Sequence, residues 1–154
     1  MRLFISIILV ILFALGSANP VAAQGKFGKV GKIFKVEEAN SLFGKVTARR
    51  TINTAFLKRV ISRSNHYVRM KMKGSLLSIL EDTKDINDFN SRFAVTAITA
   101  DDSPEHLLST ESIDELVTKG GSETTTIELR GDILTVTNGA YTLEMTLACP
   151  PWCP

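Results

Sequence analysis

Thr124–Leu147 reads TTTIELRGDILTVTNGAYTLEMTL, and the alternation of apolar and polar residues in this stretch decides the fold class. A period of two residues is typical of strands that bury one face. Gly131-Asp132 and Asn138-Gly139 interrupt the alternation, and Asn-Gly favours a tight hairpin turn because both residues tolerate positive φ. The stretch therefore predicts an antiparallel meander with Leu143 and Met145 buried, whose strands are Thr124–Arg130, Ile133–Thr137 and Tyr141–Leu147.

The middle of the chain shows the same organisation. Tyr67–Lys73 alternates with period two, Gly74 predicts a turn, and Leu76–Leu80 predicts the returning strand. A polar loop then precedes a third strand, which is predicted at Arg92–Thr99. Further upstream, the stretch Lys45–Asn53 is rich in residues that favour strands and predicts another one.

Two amphipathic helices are predicted, one before each group of strands. Apolar residues at helical spacing predict the first helix over Thr54–Ser62. The second is predicted within Ser103–Gly121, where Thr110 or Ser112 can cap its start and a Gly-Gly pair can end it. In addition, Glu37–Phe43 predicts one short helical turn.

The two halves of the chain match when one is moved along the other by a constant offset. The offset superimposes hydrophobic positions and turn glycines: Phe56 on Ile113, Met70 on Ile127, Met72 on Leu129, Gly74 on Gly131, Leu77 on Leu134 and Ile79 on Val136. Each half then reads helix, strand, turn, strand, loop, strand, and a further strand can precede each helix.

A doubled β-α-β-β-β unit resembles one domain of the sliding clamps that encircle DNA, and Thr51–Leu80 and Ser109–Leu147 carry this resemblance. The resemblance implies an α+β fold with antiparallel sheets and two helices, built from two such repeats. DNA binding is not carried over, because Asp114 and Glu115 stand on the second helix where a clamp turns basic residues towards DNA. Two unrelated α+β halves, each built from common hairpins, are the alternative.

The first 23 residues predict an export signal. Arg2 is followed by the apolar run Leu3–Leu15, which is shorter than the roughly 20 residues of a membrane-spanning helix. Val21-Ala22-Ala23 supplies the small residues of a signal peptidase site, so cleavage is expected before Gln24. We expect a periplasmic or extracellular protein with no transmembrane segment in its mature chain. Its expected parts are a flexible basic leader (24–35), one α+β domain (36–148) and a C-terminal clip (149–154).

Charge is divided between the two parts of the expected mature chain. Residues 24–73 hold 13 Lys or Arg against two acids, whereas residues 74–154 hold 4 against 14. The first part therefore carries +11 and the second −10. Such asymmetry indicates either an anionic partner for the first part or mutual neutralisation of the two parts.

A set of outward-facing basic residues is the candidate anion-binding site. Three of them alternate along one predicted strand and three lie on the first predicted helix: Arg69, Lys71, Lys73, Lys58, Arg59 and Arg63. An anionic lipid, a polysaccharide or an acidic protein suits such a surface. Nucleic acid is not expected as a partner, because only Tyr67 could offer an exposed aromatic ring for base stacking. The pattern does not indicate an oligomeric state.

The chain ends Cys149-Pro-Pro-Trp-Cys153-Pro154. In an oxidising compartment two cysteines this close are expected to pair, which would form a local clip after the last strand. The spacing Cys-x-x-x-Cys-Pro also resembles the copper-binding motif of Sco-type chaperones, and two thiolates suit Cu(I). That resemblance implies a third ligand from elsewhere in the chain, for which the candidates are His66, His106, Met70, Met72 and Met145.

Signatures of common enzymes do not occur: there is no Gly-x-Ser-x-Gly, His-Glu-x-x-His or phosphate-binding glycine loop. His106 lies near Asp101, Asp102 and Glu105, which could form a hydrolytic or metal site or a solvated acidic loop. No catalytic residue and no cofactor are expected. The prediction is an exported small binding or scaffolding protein, and the alternative is a periplasmic copper or thiol-redox carrier that uses Cys149 and Cys153.

Overall fold

A computed structural model describes residues 28–81, 92–95, 103–144 and 147–149, of which 92–95 and 147–149 are described by their backbone alone. The expected export signal therefore lies outside the described residues. Within them the chain forms ten strands and three helices. In chain order these are β1 (Lys32–Lys35), α1 (Val36–Phe43), β2 (Ala48–Asn53), α2 (Thr54–Arg63), β3 (Tyr67–Lys73), β4 (Leu76–Glu81), β5 (Arg92–Val95), β6 (Glu105–Ser109), α3 (Thr110–Gly120), β7 (Thr124–Arg130), β8 (Ile133–Asn138), β9 (Tyr141–Glu144) and β10 (Leu147–Cys149).

The strands form two antiparallel sheets, which confirms the predicted α+β class. Sheet A has the order β1-β9-β8-β7-β2, and sheet B has the order β10-β6-β3-β4-β5. The strand before each helix joins the sheet of the other half, because β2 pairs with β7 and β6 pairs with β3. The first half therefore contributes β2 to sheet A, and the second half contributes β6 to sheet B. Neither sheet is built from one half alone.

The hairpins of the two halves have the same register. Met70 pairs with Ile79 in one hairpin, and Ile127 pairs with Val136 in the other, at the offset that the sequence predicts. The helices follow a different offset. The separation of their N-caps, Asn53 and Ser109, is one position smaller than that of the hairpins, because α3 has 11 residues and α2 has 10.

Two sequence expectations change with this helix offset. The fully buried Leu57, and not the half-buried Phe56, occupies the position equivalent to Ile113. The cap of the second helix is Ser109 rather than Thr110 or Ser112, and its side chain accepts a hydrogen bond from the backbone N–H of Ser112.

One hydrophobic core fills the space between the two sheets and the helices α2 and α3. The sheet residues in it come from the alternating positions that the sequence predicts, and Leu143 is fully buried as expected. Met145 lies outside the described residues. The core residues are Leu57, Val60, Ile61, Val68, Met70, Met72, Leu77, Ile79, Leu108, Ile113, Leu116, Val117, Ile127, Leu134, Val136 and Leu143.

The third helix, α1, is longer than the single turn predicted and covers the outer face of sheet A. Its Asn40 accepts a hydrogen bond from the Arg130 guanidinium at 2.8 Å, and the same guanidinium donates to the carbonyl of Gly44 at 2.7 Å. The Phe43 ring meets Phe34 of β1 edge-on, with 5.2 Å between ring centroids. α1 therefore buries part of the polar face of this sheet.

The expected flexible leader is part of the fold from residue 28 onwards. Val30 and Phe34 are buried, and β1 pairs with β9, which brings Ile33 opposite Leu143. The backbone N–H of Val30 also donates to the Ser109 hydroxyl at 3.2 Å. The lysines in this stretch predicted a solvated segment, but burial of the apolar residues between them makes it an edge strand of sheet A.

The expected final strand, Tyr141–Leu147, is divided between the two sheets. β9 ends at Glu144 in sheet A, and β10 pairs with β6 in sheet B. Cys149 is consequently the last residue of a strand instead of the first residue of a tail. No helix among the described ranges is long and apolar enough to cross a membrane.

Candidate functional site

The six basic residues of the predicted anion-binding site do not form one surface. On β3, the residues Arg69, Lys71 and Lys73 alternate with core residues and so lie on the outer face of sheet B. The α2 residues lie on the opposite side, because α2 packs against the inner face. Lys71 is buried, and Arg69 forms an ion pair with Glu105 at 3.1 Å. Lys73 is exposed at the end of β3.

The three helix residues of the predicted site also differ in their contacts and exposure. Arg63 forms an ion pair with Glu81, whose side chain is fully buried at the end of β4. Lys58 and Arg59 are exposed on the solvent side of α2. The structure therefore leaves these two as the neighbouring exposed members of the predicted set.

Several ion pairs join the basic part of the chain to the acidic part. Lys29 contacts Glu111 at 3.2 Å and Glu115 at 2.7 Å, both on α3. The hydrogen bond from Lys29 lowers the pKa of the Glu115 carboxyl, and the same bond raises the pKa of Lys29. Together with the pairs of Arg63 and Arg69, these contacts support the interpretation that the two parts neutralise each other.

Two arginines that the site prediction did not include are exposed on β2. Arg49 and Arg50 lie on the end strand of sheet A, and Thr51 beside them is exposed too. The only sequence signal for them was an Arg-Arg pair within a predicted strand. Because β2 is the last strand of sheet A, its far side has no strand partner among the described residues.

The hydrogen-bond alternation of β2 shows which backbone groups reach this free edge. The N–H of Thr54 donates to the carbonyl of Glu123, directly opposite, at 2.8 Å. Since hydrogen-bonded pairs alternate along an antiparallel ladder, Ile52 and Arg50 also exchange their bonds with β7. Arg49 and Thr51 therefore direct their N–H and C=O groups away from β7, towards the free edge.

An apolar groove of about 380 Å³ lies beside this edge. Its walls come from β2, from the first turn of α2, from the turn between β3 and β4 and from the start of β4: Arg50, Ile52, Asn53, Phe56, Ser75, Leu76 and Leu77. Leu76 is 50% exposed. The groove thus combines mostly apolar walls with one basic lining residue, Arg50.

A second groove, of about 340 Å³, separates α2 from α3. Lys58 on α2 faces Glu111 and Asp114 on α3 across it. Charges of both signs line this groove, so it offers less selectivity for an anionic partner than the β2 edge does.

Three of the candidate third ligands for copper are buried, namely Met70, Met72 and His106. Met70 and Met72 are core residues, and His106 is buried opposite Met70. His66 is exposed before β3. Within the described ranges no three His, Cys, Asp or Glu residues are grouped as a metal ion would require. The Cys149 and Cys153 side chains and Met145 lie outside those ranges, so the disulfide and the copper site stay predictions.

His106 and Glu105 do not form the hydrolytic or metal site that their proximity in sequence suggested. Glu105 pairs with Lys71 on the outer face of sheet B, whereas His106 pairs with Met70 on the core face. Burial lowers the pKa of the His106 imidazole, and the nearby charge of Asp132 opposes this effect more weakly. Asp101 and Asp102 lie outside the described residues.

Comparison with known proteins finds no matching family model, no similar curated protein and no similar solved structure.

Proposed function

We propose that this protein is a binding or scaffolding module that recognises an acidic segment of a partner protein at the free edge of β2. The observation that carries the proposal is the placement of two exposed arginines, Arg49 and Arg50, on a strand edge that borders an apolar groove. Arginine suits this role because its guanidinium can bind a carboxylate with two parallel hydrogen bonds.

The groove favours a protein over the other anionic partners considered. An anionic bilayer or polysaccharide would engage the arginines by charge alone and would leave Ile52, Phe56 and Leu76 in water. A polypeptide can place a carboxylate near Arg50 and an apolar side chain against these three residues at the same time. Such a combination of a few polar contacts with apolar walls is typical of binding sites.

The export of the protein and its terminal disulfide belong to the same proposal. They are supported by the sequence of residues 1–23 and by the spacing of Cys149 and Cys153. Intact mass of the exported protein should begin at Gln24, and thiol labelling of the unreduced protein should find no free cysteine. A product that retains Met1 would contradict export by cleavage.

Binding of a fluorescently labelled polyglutamate chain tests the main proposal. We expect binding that weakens steeply between low and physiological salt, because exposed charges are screened over about 8–10 Å at these ionic strengths. The double variant Arg49→Gln, Arg50→Gln should bind at least about tenfold more weakly, since each charge-assisted hydrogen bond contributes roughly 1.5–3 kcal/mol.

The matched control is Lys32→Gln, Lys35→Gln, which removes the same charge from β1, the end strand on the opposite side of sheet A. This variant should bind within about twofold of the wild type. An equal loss in both double variants would mean that net charge alone determines binding. Arginine-dependent binding of heparin or phosphatidylglycerol vesicles, without binding of polyglutamate, would replace the acidic protein by a polysaccharide or a membrane.

A further inference from the structure

We propose that the acidic segment binds as an additional antiparallel strand of sheet A, hydrogen-bonded to the free edge of β2. This inference rests on the proposed function and adds the mode of binding, the register and a sequence pattern for the partner. The pairing of β10 with β6, the equivalent edge in the other half of the molecule, supports it.

β2 and β6 are equivalent strands in the two halves. Each precedes a helix, each ends at that helix's N-cap, and each pairs with the first hairpin strand of the other half. The outer edge of β6 is covered by the antiparallel strand β10. In the described part of the chain, the outer edge of β2 has no such strand. The pairing of β10 with β6 therefore shows how an additional strand could pair with β2.

The register of β10 predicts the register of the partner strand. β10 pairs its three residues with Leu107, His106 and Glu105 of β6. The offset that places one N-cap on the other also places these positions on Thr51, Arg50 and Arg49 of β2. The partner is thus expected to exchange backbone hydrogen bonds with Thr51 and Arg49, whose N–H and C=O groups face the free edge.

Alternation along the partner strand then determines which of its side chains enter the groove. The partner residues opposite Ile52 and Arg50 share the face that carries the groove, because Arg50 lies opposite the core residue Ile127. The residue opposite Ile52 should be apolar, and the residue two positions later, opposite Arg50, should be acidic. The next residue lies opposite Arg49 on the other face, where a second acid fits. The pattern is apolar, any residue, acidic, acidic.

A second copy of the chain is a less suitable occupant. A second copy of β2 would bring its own Arg49 and Arg50 next to those of the first copy, and β2 contains no acid to neutralise them.

The experiment uses a short labelled peptide, Thr-Val-Thr-Leu-Thr-Glu-Glu-Thr-Val, and measures its dissociation constant by fluorescence anisotropy. Its leucine should lie opposite Ile52, and its two glutamates opposite Arg50 and Arg49. N-methylation of the threonine between leucine and glutamate removes a hydrogen bond to Thr51 and should weaken binding at least about tenfold, as expected for a desolvated backbone group left without its bond. N-methylation of the first glutamate, whose N–H points away from β2, is the matched control and should change binding by less than about threefold.

Two protein variants test the register. Arg50→Glu should lose binding of this peptide and should regain it when the first glutamate of the peptide is replaced by lysine. Leu76→Asp should weaken binding of the leucine peptide more than that of a peptide with serine at the leucine position. Both residues are exposed, so circular dichroism should show an unchanged fold.

The outcomes separate this inference from the proposed function. If both N-methylations weakened binding equally, or if neither weakened it, strand addition would be overturned. Arginine-dependent binding of polyglutamate would in that case still support recognition of an acidic segment. Loss of arginine dependence for both probes would overturn the proposed function too. A concentration-dependent dimer that the peptide dissociates would identify a second copy as the occupant and would overturn the inference as stated.

Discussion

At the scale of single residues, Asn138 has a structural role that its position in the sequence does not indicate. The Asn-Gly pair predicted a turn residue, but the loop consists of Gly139 and Ala140, and Asn138 is the fully buried end of β8. Its amide nitrogen lies within 3.1 Å of the carbonyls of Ser122 and Thr124 and of two threonine hydroxyls. The side chain therefore connects β8 to the chain between α3 and β7.

Asn138→Asp should destabilise the fold by about 3 kcal/mol or more, because it replaces a buried donor by a charged acceptor that faces two carbonyls. Asn40→Asp is the matched control, since its oxygen can still accept the hydrogen bond from Arg130. It should change stability by no more than about 0.5 kcal/mol. Urea unfolding of both variants measures the difference, and equal losses would contradict the role assigned to Asn138.

His106 should make the stability of the fold depend on pH. Burial lowers the pKa of its imidazole in the folded protein below the ordinary value of 6.5. As pH falls through about 6.5, the unfolded chain takes up the proton before the folded one does, so stability decreases; above that pH its contribution is constant. His106→Gln should reduce the slope of unfolding free energy against pH between about 7.5 and 5.5. The same slope in wild type and variant would show that other groups cause it.

At the scale of elements, the hairpin between β8 and β9 packs directly on the end of α3. A Cβ atom built on Gly139 would overlap the carbonyl oxygen of Gly120, and one built on Gly120 would overlap Asn138. The two glycines thus allow backbone to meet backbone. The hairpin between β3 and β4, which turns at Gly74, has no such neighbour among the described residues, since a Cβ there would meet none of their atoms within 4 Å.

Alanine substitution at the two hairpins should separate backbone strain from close packing. Gly74 and Gly139 both begin two-residue loops with φ of 56°. Gly74→Ala should therefore cost about 1–2 kcal/mol, the usual cost of a left-handed conformation for an L-residue. Gly139→Ala should cost about 1–3 kcal/mol more, because the added methyl must displace α3. Thermal or urea unfolding measures both losses of stability. Equal losses would contradict the close packing of the hairpin on α3.

At the scale of the whole molecule, contacts that are distant in sequence join the two halves. The exchange of β2 and β6 between the sheets buries both helices in one core, and residues 28–35 extend sheet A beside β9. Ion pairs from Lys29, Arg63 and Arg69 connect the basic part of the chain to the acidic part. The exposed arginines of β2, Arg49 and Arg50, take part in none of these three ion pairs.

Phe34→Ala tests whether the expected leader belongs to the folded domain. Phe34 is 6% exposed, so its truncation should cost about 3–5 kcal/mol in urea unfolding, as for other buried phenylalanines. The neighbouring Lys35→Ala, at an exposed position of the same strand, should cost no more than about 0.5 kcal/mol. A flexible leader would leave both variants as stable as the wild type.

The elements of this fold were largely predictable from the sequence because local periodicity determines them. Tyr67–Lys73 and Thr124–Arg130 occur as strands with the predicted bounds, and α2 differs from its prediction by one residue. Alternation places one set of residues on the core face whatever the sheet, so Leu143 could be assigned to the core. The constant offset between the halves predicted the matching registers of the two hairpins, because it too depends on this alternation.

The candidate site was decided by the tertiary structure. Alternation on β3 indicated outward-facing basic residues, but only long-range pairing shows that Lys71 is buried, that Arg69 contacts Glu105 and that sheet B separates them from Lys58 and Arg59. Likewise, an Arg-Arg pair in a strand gives no indication of whether that strand is central or at an edge. The physical reason is that a sequence pattern specifies the face on which a side chain lies, whereas its partners depend on which strands the folded chain brings together.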